Sequence, residues 1–293
     1  MKTLLSLCLI VGCAWQAFAE GQVKTREEAE ALSKTLKYQQ GEVVLRDGLA
    51  TLRVPEGFRF LDGADANKVI VQLWGNPPGN APLGMLMSES GPFGRGAWAV
   101  IISYEEDGYV KDHDAETIDY NALLKQVKED IHKANPERTK QGYPAMELIG
   151  WAAPPRYDHD SHKLYWAKEL KFGDEPGNTL NYNIRMLGRR GVMVLNAIAS
   201  MSQLPQIEST TPKILSAIDF NPGNRYADFN PKSDKVATYG LAALVAGGIA
   251  AKLGFFKGLW LLILGLKKFI IIAAVAVAAW FKKLFGKKQP TGS

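Results

Sequence analysis

The stretch TLNYNIRML, residues 179–187, alternates with a period of two. Leu180, Tyr182, Ile184 and Met186 take one side; Asn181, Asn183 and Arg185 take the other. This is the pattern of a β-strand with one face in a core. A second apolar stretch, KLYWAKELKF at 163–172, precedes it across GDEPGN, and VMVLNAIA at 192–199 follows it across LGRRG. Strands joined by so few residues pair antiparallel, because a parallel connection needs a crossover of about a dozen residues or more. Pairing 163–172 with 179–187 so that apolar faces coincide sets Leu170 opposite Tyr182 and Trp166 opposite Met186. On the other face Glu169 then opposes Asn183 and neighbours Arg185, and the LGRRG turn brings Asn196 opposite Asn183. One sheet face thus gathers Glu169, Lys171, Asn181, Asn183, Arg185 and Asn196 as a candidate ligand-binding surface. The plainer alternative is a solvent-facing or helix-covered surface with an ordinary cross-strand ion pair.

Around this block the chain mixes strands and separate helices. Thr25 and Glu28 form a capping box that opens a charged helix over 25–38, closed at Gly41. Strands are expected at 42–45 and 49–54 around the RDG turn, and at 83–88, 97–104 and 146–151. Asp62 caps a short helix carrying Val69, Ile70 and Leu73 and ending at Gly75. Asp119 caps the clearest helix, with Leu123, Leu124, Val127 and Ile131 on one face. Asn135-Pro136 restarts a short helix, and a last helix between 205 and 218 is broken at Pro212. Hairpins plus segregated helices imply an α+β fold, an antiparallel sheet with flanking helices. The element order resembles the PsbP-like sandwich. The exported domain is expected over 42–220, with 20–41 as an N-terminal helix and 221–235 as a linker.

Both ends have a different character. Residues 1–19 read as a secretory signal: Lys2, an apolar run from Leu4 to Val11, and Ala17-Phe18-Ala19 as the cleavage site. Ile10-Val11-Gly12-Cys13 has the residue types of a lipobox, so processing at Cys13 stays open. Cys8 and Cys13 are the chain's two cysteines. The mature chain therefore lacks disulfides, thiolate catalysis and cysteine-ligated zinc. Residues 236–281 are mostly apolar, and a span needs about 20 such residues. Lys267 and Lys268 fall in the middle of 258–280, and a central lysine costs about 2.5–3.5 kcal/mol on the insertion scale. The crossing is therefore expected at 236–256, with 258–281 as the alternative. Residues 257–293 then form a basic, apolar tail on the cytoplasmic surface, as the positive-inside rule favours. Ala243, Gly247 and Ala251 make a small-residue stripe suited to self-association. The chain has 35 basic and 30 acidic side chains. Nine lysines lie at or after Lys235, where no acid occurs, and Lys2 lies in the signal, so residues 20–234 hold 25 basic against 30 acidic groups. A mildly acidic domain is a poor partner for nucleic acid.

Catalytic motifs are missing: no Gly-x-Ser-x-Gly elbow, Walker loop, His-Glu-x-x-His or strand-borne Gly-x-Gly-x-x-Gly. In DHDSH, residues 158–162, Asp158 and His162 are the candidate metal or acid/base pair, weighed against a polar hairpin turn. DHDAETID, 112–119, starts like a calcium loop at Asp112 and Asp114. It has Thr117 where that loop needs glycine and Leu123 where it needs glutamate, so the EF-hand reading fails.

The motifs LWGNPP, SYEEDGYVKDHDA, IDYNALL, GWAAPPRYD, LYWAKEL, LNYNIRMLGRRG and DKVATYGLAALVAGG occur in order over about 40–255. Together they resemble a bacterial membrane-anchored family, the domain of unknown function numbered 2167. The resemblance implies an exported domain with a C-terminal anchor and no established activity or cofactor. Arg156 and Asp158 fall within its PPRYD motif; His159 and Asp160 do not. The expectation is a periplasmic domain held at the bacterial inner membrane with its C-terminus cytoplasmic. It would be a binding or scaffold module using Glu169, Asn181, Asn183, Arg185, Asn196, Arg156 and Asp158. The alternatives are a membrane-tethered metal-dependent hydrolase built on Asp158, His162, Asp112 or Asp114, and an envelope-stress or channel accessory protein.

Overall fold

In the computed structural model, which describes residues 25–93 and 96–247, the chain is α+β with antiparallel sheets. A charged helix α1 (Arg26–Lys34) leads into the hairpin β1 (Glu42–Leu45) and β2 (Ala50–Arg53). Then come β3 (Phe58–Asp62), α2 (Gly63–Lys68), β4 (Gly84–Ser88), β5 (Ala99–Glu105) and the long α3 (Tyr120–Lys140). The second half runs β6 (Met146–Asp158), β7 (Lys163–Phe172), β8 (Thr179–Leu187), β9 (Val192–Ser200), α4 (Leu204–Ala217), β10 (Ile218–Phe220) and α5 (Leu241–Ala246). Among the described residues the strands form a seven-stranded sheet, β3-β4-β5-β9-β8-β7-β6, and a small one, β1-β2-β10.

Both faces of the large sheet are covered. One packs Phe60, Leu86, Val100, Ile102, Tyr182, Ile184 and Leu195 against Leu52, Ile218 and Phe220 of the small sheet and Ile207 and Ile214 of α4. The opposite face is covered in two patches. Leu61, Met85, Met87 and Ile101 meet Ala66, Val69 and Ile70 of α2 and the π-helical turn after it. Leu164, Trp166, Leu170 and Phe172 belong to the cluster that holds Leu123, Val127 and Ile131 of α3 and Leu241, Leu244 and Val245 of α5. Fully burying a large apolar side chain contributes about 1.5–3 kcal/mol, so these patches hold the helices on the sheet.

Local chemistry explains most boundaries. Thr25 and Glu28 exchange both capping-box hydrogen bonds. Asp62 Oδ1 accepts from Asp65 N at 2.9 Å and starts α2. The Asp119 carboxylate accepts from Asn121 N and Ala122 N at 3.0 Å and starts α3. Three expectations shift. The 120–140 helix runs on through Pro136 instead of restarting, because the Asn135 carboxamide is engaged sideways with Met146 N and O at 2.9 Å. α4 likewise runs through Pro212, with Thr210 and Thr211 hydroxyls bonded back to Gln206 O and Ile207 O. The strand expected at 146–151 runs on through PPRYD: β6 extends to Asp158 as the edge strand. An edge tolerates prolines, and register shifts between Trp151 and Arg156 absorb them.

The β7–β8 register also differs from the expected one. Trp166 pairs with Asn183, Lys168 with Asn181 and Glu169 with Leu180. Along its other edge β7 pairs with β6 as far as Lys171 and Phe172, opposite Glu147 and Met146, while its pairing with β8 starts at Leu170 opposite Thr179. The displacement is odd. It moves Glu169 and Lys171 to the opposite sheet face and puts Trp166 and Lys168 beside the asparagines. β7 allowed this because it is apolar on both sides. The β8–β9 register follows the expectation, with Asn183 opposite Asn196.

The segment after β10 is tied to the domain. Arg189 Nε and Nη2 donate to Asp234 at 2.6 and 3.0 Å, Asn221 Nδ2 donates to Gly48 O, and Tyr109 bridges to Val236. Residues 236–240 are non-helical, α5 ends at Ala246, and Gly247 has φ +100°. The expected crossing at 236–256 thus begins with residues folded onto α3; its remainder, and Ala251 of the small-residue stripe, lie outside the described residues. So do the signal at 1–19, the alternative crossing at 258–281 and the tail at 257–293. Among the described residues no helix is long and apolar enough to cross a membrane.

Gly191, in the turn that sets the β8–β9 register, has no room for a side chain: a Cβ there would lie 2.1 Å from Glu105 O. A backbone oxygen in a ladder cannot yield cheaply. Gly191→Ala is expected to destabilise the domain by about 1–3 kcal/mol, as overpacking does, read as a lowered urea midpoint with an unchanged m-value.

Candidate functional site

Four of the expected residues meet on one face. Asn181, Asn183 and Arg185 of β8 project with Asn196 of β9, and β7 adds Trp166 and Lys168. The row is buried: Asn181 is 4% exposed, Asn183 3%, Arg185 8%, Lys168 4% and Trp166 1%. The Arg185 guanidinium lies over the Trp166 ring, 4.8 Å from its centroid, and the Lys168 ammonium is 6.0 Å from the same centroid. Arg185 Nη1 donates to Asn196 Oδ1 at 3.2 Å. Asn183 Nδ2 donates to Asn181 Oδ1 at 2.9 Å and to Asn181 O at 2.8 Å. Trp166 Nε1 is buried without a hydrogen-bond partner among the described residues. Tyr239 adjoins the row: its hydroxyl donates to Asp107 at 2.7 Å. Burial, then Asp107 and Glu105, push its pKa up against the opposing charge of Arg185.

Lys168 and Trp166 were not legible as site residues. Their face depends on a register that the doubly apolar β7 left open. Glu169 faces the other way and accepts from Asn178 Nδ2 at 2.6 Å. Arg156 is exposed on that opposite face, its guanidinium 4.3 Å from the Tyr165 ring centroid. Asp158 organises the β6–β7 turn, accepting from Asp160 N, Ser161 N and Ser161 Oγ at 3.0, 3.3 and 2.7 Å. The Ser161 hydroxyl in particular holds its carboxyl below the ordinary range. The expected set of seven thus divides between two faces and a turn, and the two faces cannot act on one ligand.

The turn has its own cluster. Tyr157 donates to Asp112 Oδ2 at 2.7 Å, and His162 Nδ1 lies 3.2 Å from Tyr157 Oη and 3.4 Å from Asp112 Oδ2. The His162 ring leans on Tyr226 at 4.1 Å, Tyr226 stacks on Tyr109 at 4.4 Å, and Tyr109 on Phe229 at 3.9 Å. A cavity of about 380 Å³ lies beside them, lined by Tyr109, Lys111, Asp112, His113 and Tyr226. Asp114 is committed elsewhere: its carboxylate accepts from Leu241 N at 3.2 Å at the start of α5. A Cβ at Gly240 would lie 2.4 Å from Asp114 Oδ2, so any larger residue there would have to displace that carboxylate. His159 pairs with Glu116 at 2.9 Å on the exposed surface, where such pairs contribute little. Among the described residues no group of three His, Cys, Asp or Glu side chains is placed to hold a metal ion.

Burial raises the Asp112 pKa, but the hydrogen bond from Tyr157, the neighbouring Tyr226 hydroxyl and His162 outweigh it and hold the carboxyl below the ordinary range. A depressed carboxyl stabilises the fold above its unfolded pKa of about 4, and that contribution is lost as pH falls through the folded value. In Tyr157→Phe the burial effect loses its main opponent, so acid destabilisation is expected to begin at higher pH than in the wild type. Urea midpoints measured between pH 3 and pH 7 check this; superimposable pH profiles would refute it.

None of the curated proteins matches the chain. Three solved structures are similar at low identity. The solution structure of cyanobacterial PsbP from Synechocystis sp. PCC 6803 is 12% identical, with a TM-score of 0.34, over 64% of this chain and 92% of its own. A protein of unknown function from Pseudomonas aeruginosa, PA94, is 11% identical with a TM-score of 0.28, over 62% and 99%. The Ran-binding protein Mog1p of Saccharomyces cerevisiae is 12% identical with a TM-score of 0.31, over 63% and 96%. A family model matches residues 37–278, most of the chain. The chain belongs to the family described as protein of unknown function DUF2167.

Proposed function

We propose that this chain is a non-enzymatic binding or scaffold module of the bacterial cell envelope. Its main domain is periplasmic and its C-terminal apolar segment tethers it to the inner membrane. The tether rests on the apolar composition of 236–281 and the lysines beyond it. Since 236–247 contributes to the domain's own packing, the stretch at 258–281 becomes the better seat for the crossing.

The observation that carries a binding role is the buried row around Trp166. Burying an amide or a charge costs about 1–3 kcal/mol or more unless it is compensated. A face needed only to seat helices would be apolar, as the rest of this face is. Photo-crosslinking of the full chain in membranes tests the reading. Arg185→Gln is expected to reduce capture of its partner at least fivefold, while Lys125→Gln on α3 leaves capture unchanged. Equal capture by wild type and Arg185→Gln would remove the binding role from this face.

The metal-dependent hydrolase is the second reading, favoured by the contact between Asp112 and His162. It requires stoichiometric metal in the purified full chain that His162→Ala loses. The binding-module reading expects no such metal, and elemental analysis decides between them.

A further inference from the structure

The cavity of about 380 Å³ beside the turn cluster is of a size that takes a small molecule. Its wall carries charges of both signs. Asp112 brings a carboxylate whose side chain is 27% exposed. Its hydroxyl donor Tyr157 is neutral, and its one ion-pair contact among the described residues is His162 at 3.4 Å. Lys111 and His113, on either side of it in the chain, are exposed and line the same cavity. Among the described residues neither of their side chains is engaged in a hydrogen bond or an ion pair. Tyr109 and Tyr226 complete the wall, but their ring faces are occupied. Tyr226 lies between His162 and Tyr109, and Tyr109 between Tyr226 and Phe229. A ligand therefore meets ring edges and hydroxyls there, and charge is left to choose the occupant.

A lone anion entering this cavity is attracted by Lys111 and repelled by Asp112. A lone cation meets the reverse. In a cavity walled by both signs, each like charge offsets part of what the opposite one contributes. A molecule that carries both signs meets both groups favourably, each through a charge-assisted hydrogen bond. We propose that this cavity is a second ligand site, separate from the row around Trp166, and that it takes a small zwitterion of amino-acid type. The ammonium pairs with Asp112, and the carboxylate with Lys111 and His113. The site joins two parts of the chain, since Asp112 comes from the loop 107–115 and Tyr226 from the segment that leads to α5.

The test uses the full chain in a maltoside detergent with EDTA, labelled with 3-fluorotyrosine and followed by ¹⁹F resonance. The chain has ten tyrosines, and Tyr109→Phe assigns the signal at the cavity. Glycine, β-alanine and 4-aminobutyrate present the two charges at three spacings; butylamine and butyrate present one charge each. At least one zwitterion is expected to shift the Tyr109 signal saturably, with an affinity at least tenfold above that of butylamine and of butyrate. Asp112→Asn should weaken that response at least tenfold. Lys111→Glu should weaken it as much and strengthen the response to butylamine. An unfolded site cannot give such a reversal, so Lys111→Glu decides the matter if Asp112→Asn fails to fold. The assignment is overturned if no zwitterion acts, if butylamine or butyrate matches the best of them, or if Lys111→Glu keeps the wild-type preference. A response seen only without EDTA belongs to a bound metal and overturns it too. Folded Arg185→Gln should keep the zwitterion response whether or not it loses its crosslinked partner, and loss of the response there would refute a separate site.

Discussion

Asn183 is paired on both sides, with Trp166 across β7 and with Asn196 across β9. This double pairing fixes which side chains share each face of the central strands. One face then holds Tyr182, Ile184 and Leu195 against the small sheet and α4. The other holds the polar row between the patch under α2 and the patch under α3 and α5. A slip by one residue would exchange the two sets and place Arg185 in the apolar layer. The tight packing at Gly191 blocks that slip on the β9 side, and at the same end of the strands Leu187 N donates to His162 O at 3.0 Å on the β7 side.

The polar row is the exception to how the rest of the domain is held. Elsewhere carboxylates sit where a backbone N–H or a cation needs them. Asp65 receives Lys37 N and Lys68 Nζ, Asp119 caps α3, and Asp114 receives the first N–H groups of α5. The row instead concentrates positive charge and amide donors against an indole. Cation–π contacts such as that of Arg185 on Trp166 contribute about 0.5–2 kcal/mol. That recovers part of the cost of burying a guanidinium and does nothing for the Trp166 N–H.

The segment leading towards the C-terminus is equally specific in its attachment. Arg189 and Asp234 form a two-point pair. Tyr226 reaches Val110 O with its hydroxyl and stacks between Tyr109 and His162. These contacts fasten residues 221–237 to the same loop, 107–115, that carries Asp107, Asp112 and Asp114. The polar row, the turn cluster and the start of α5 therefore share one loop as a common support.

The sequence by itself determined β7, β8 and β9 and their antiparallel pairing, whereas β3 and β10 were not marked in it. Period-two alternation in β8 and the short GDEPGN and LGRRG connections leave no room for another arrangement. It also determined the helix starts at Thr25, Asp62 and Asp119, because side-chain caps are local chemistry. It placed Asn196 opposite Asn183, since a tight turn leaves little freedom of register. Tertiary structure alone decided which face Trp166, Lys168 and Glu169 occupy. β7 is apolar on both faces, so its pattern does not choose. Pro136 and Pro212 stay within helices, and Pro154 and Pro155 lie in an edge strand whose register shifts against β7 absorb them. The polar face became a row around Trp166 by long-range pairing, which no stretch of the chain encodes alone.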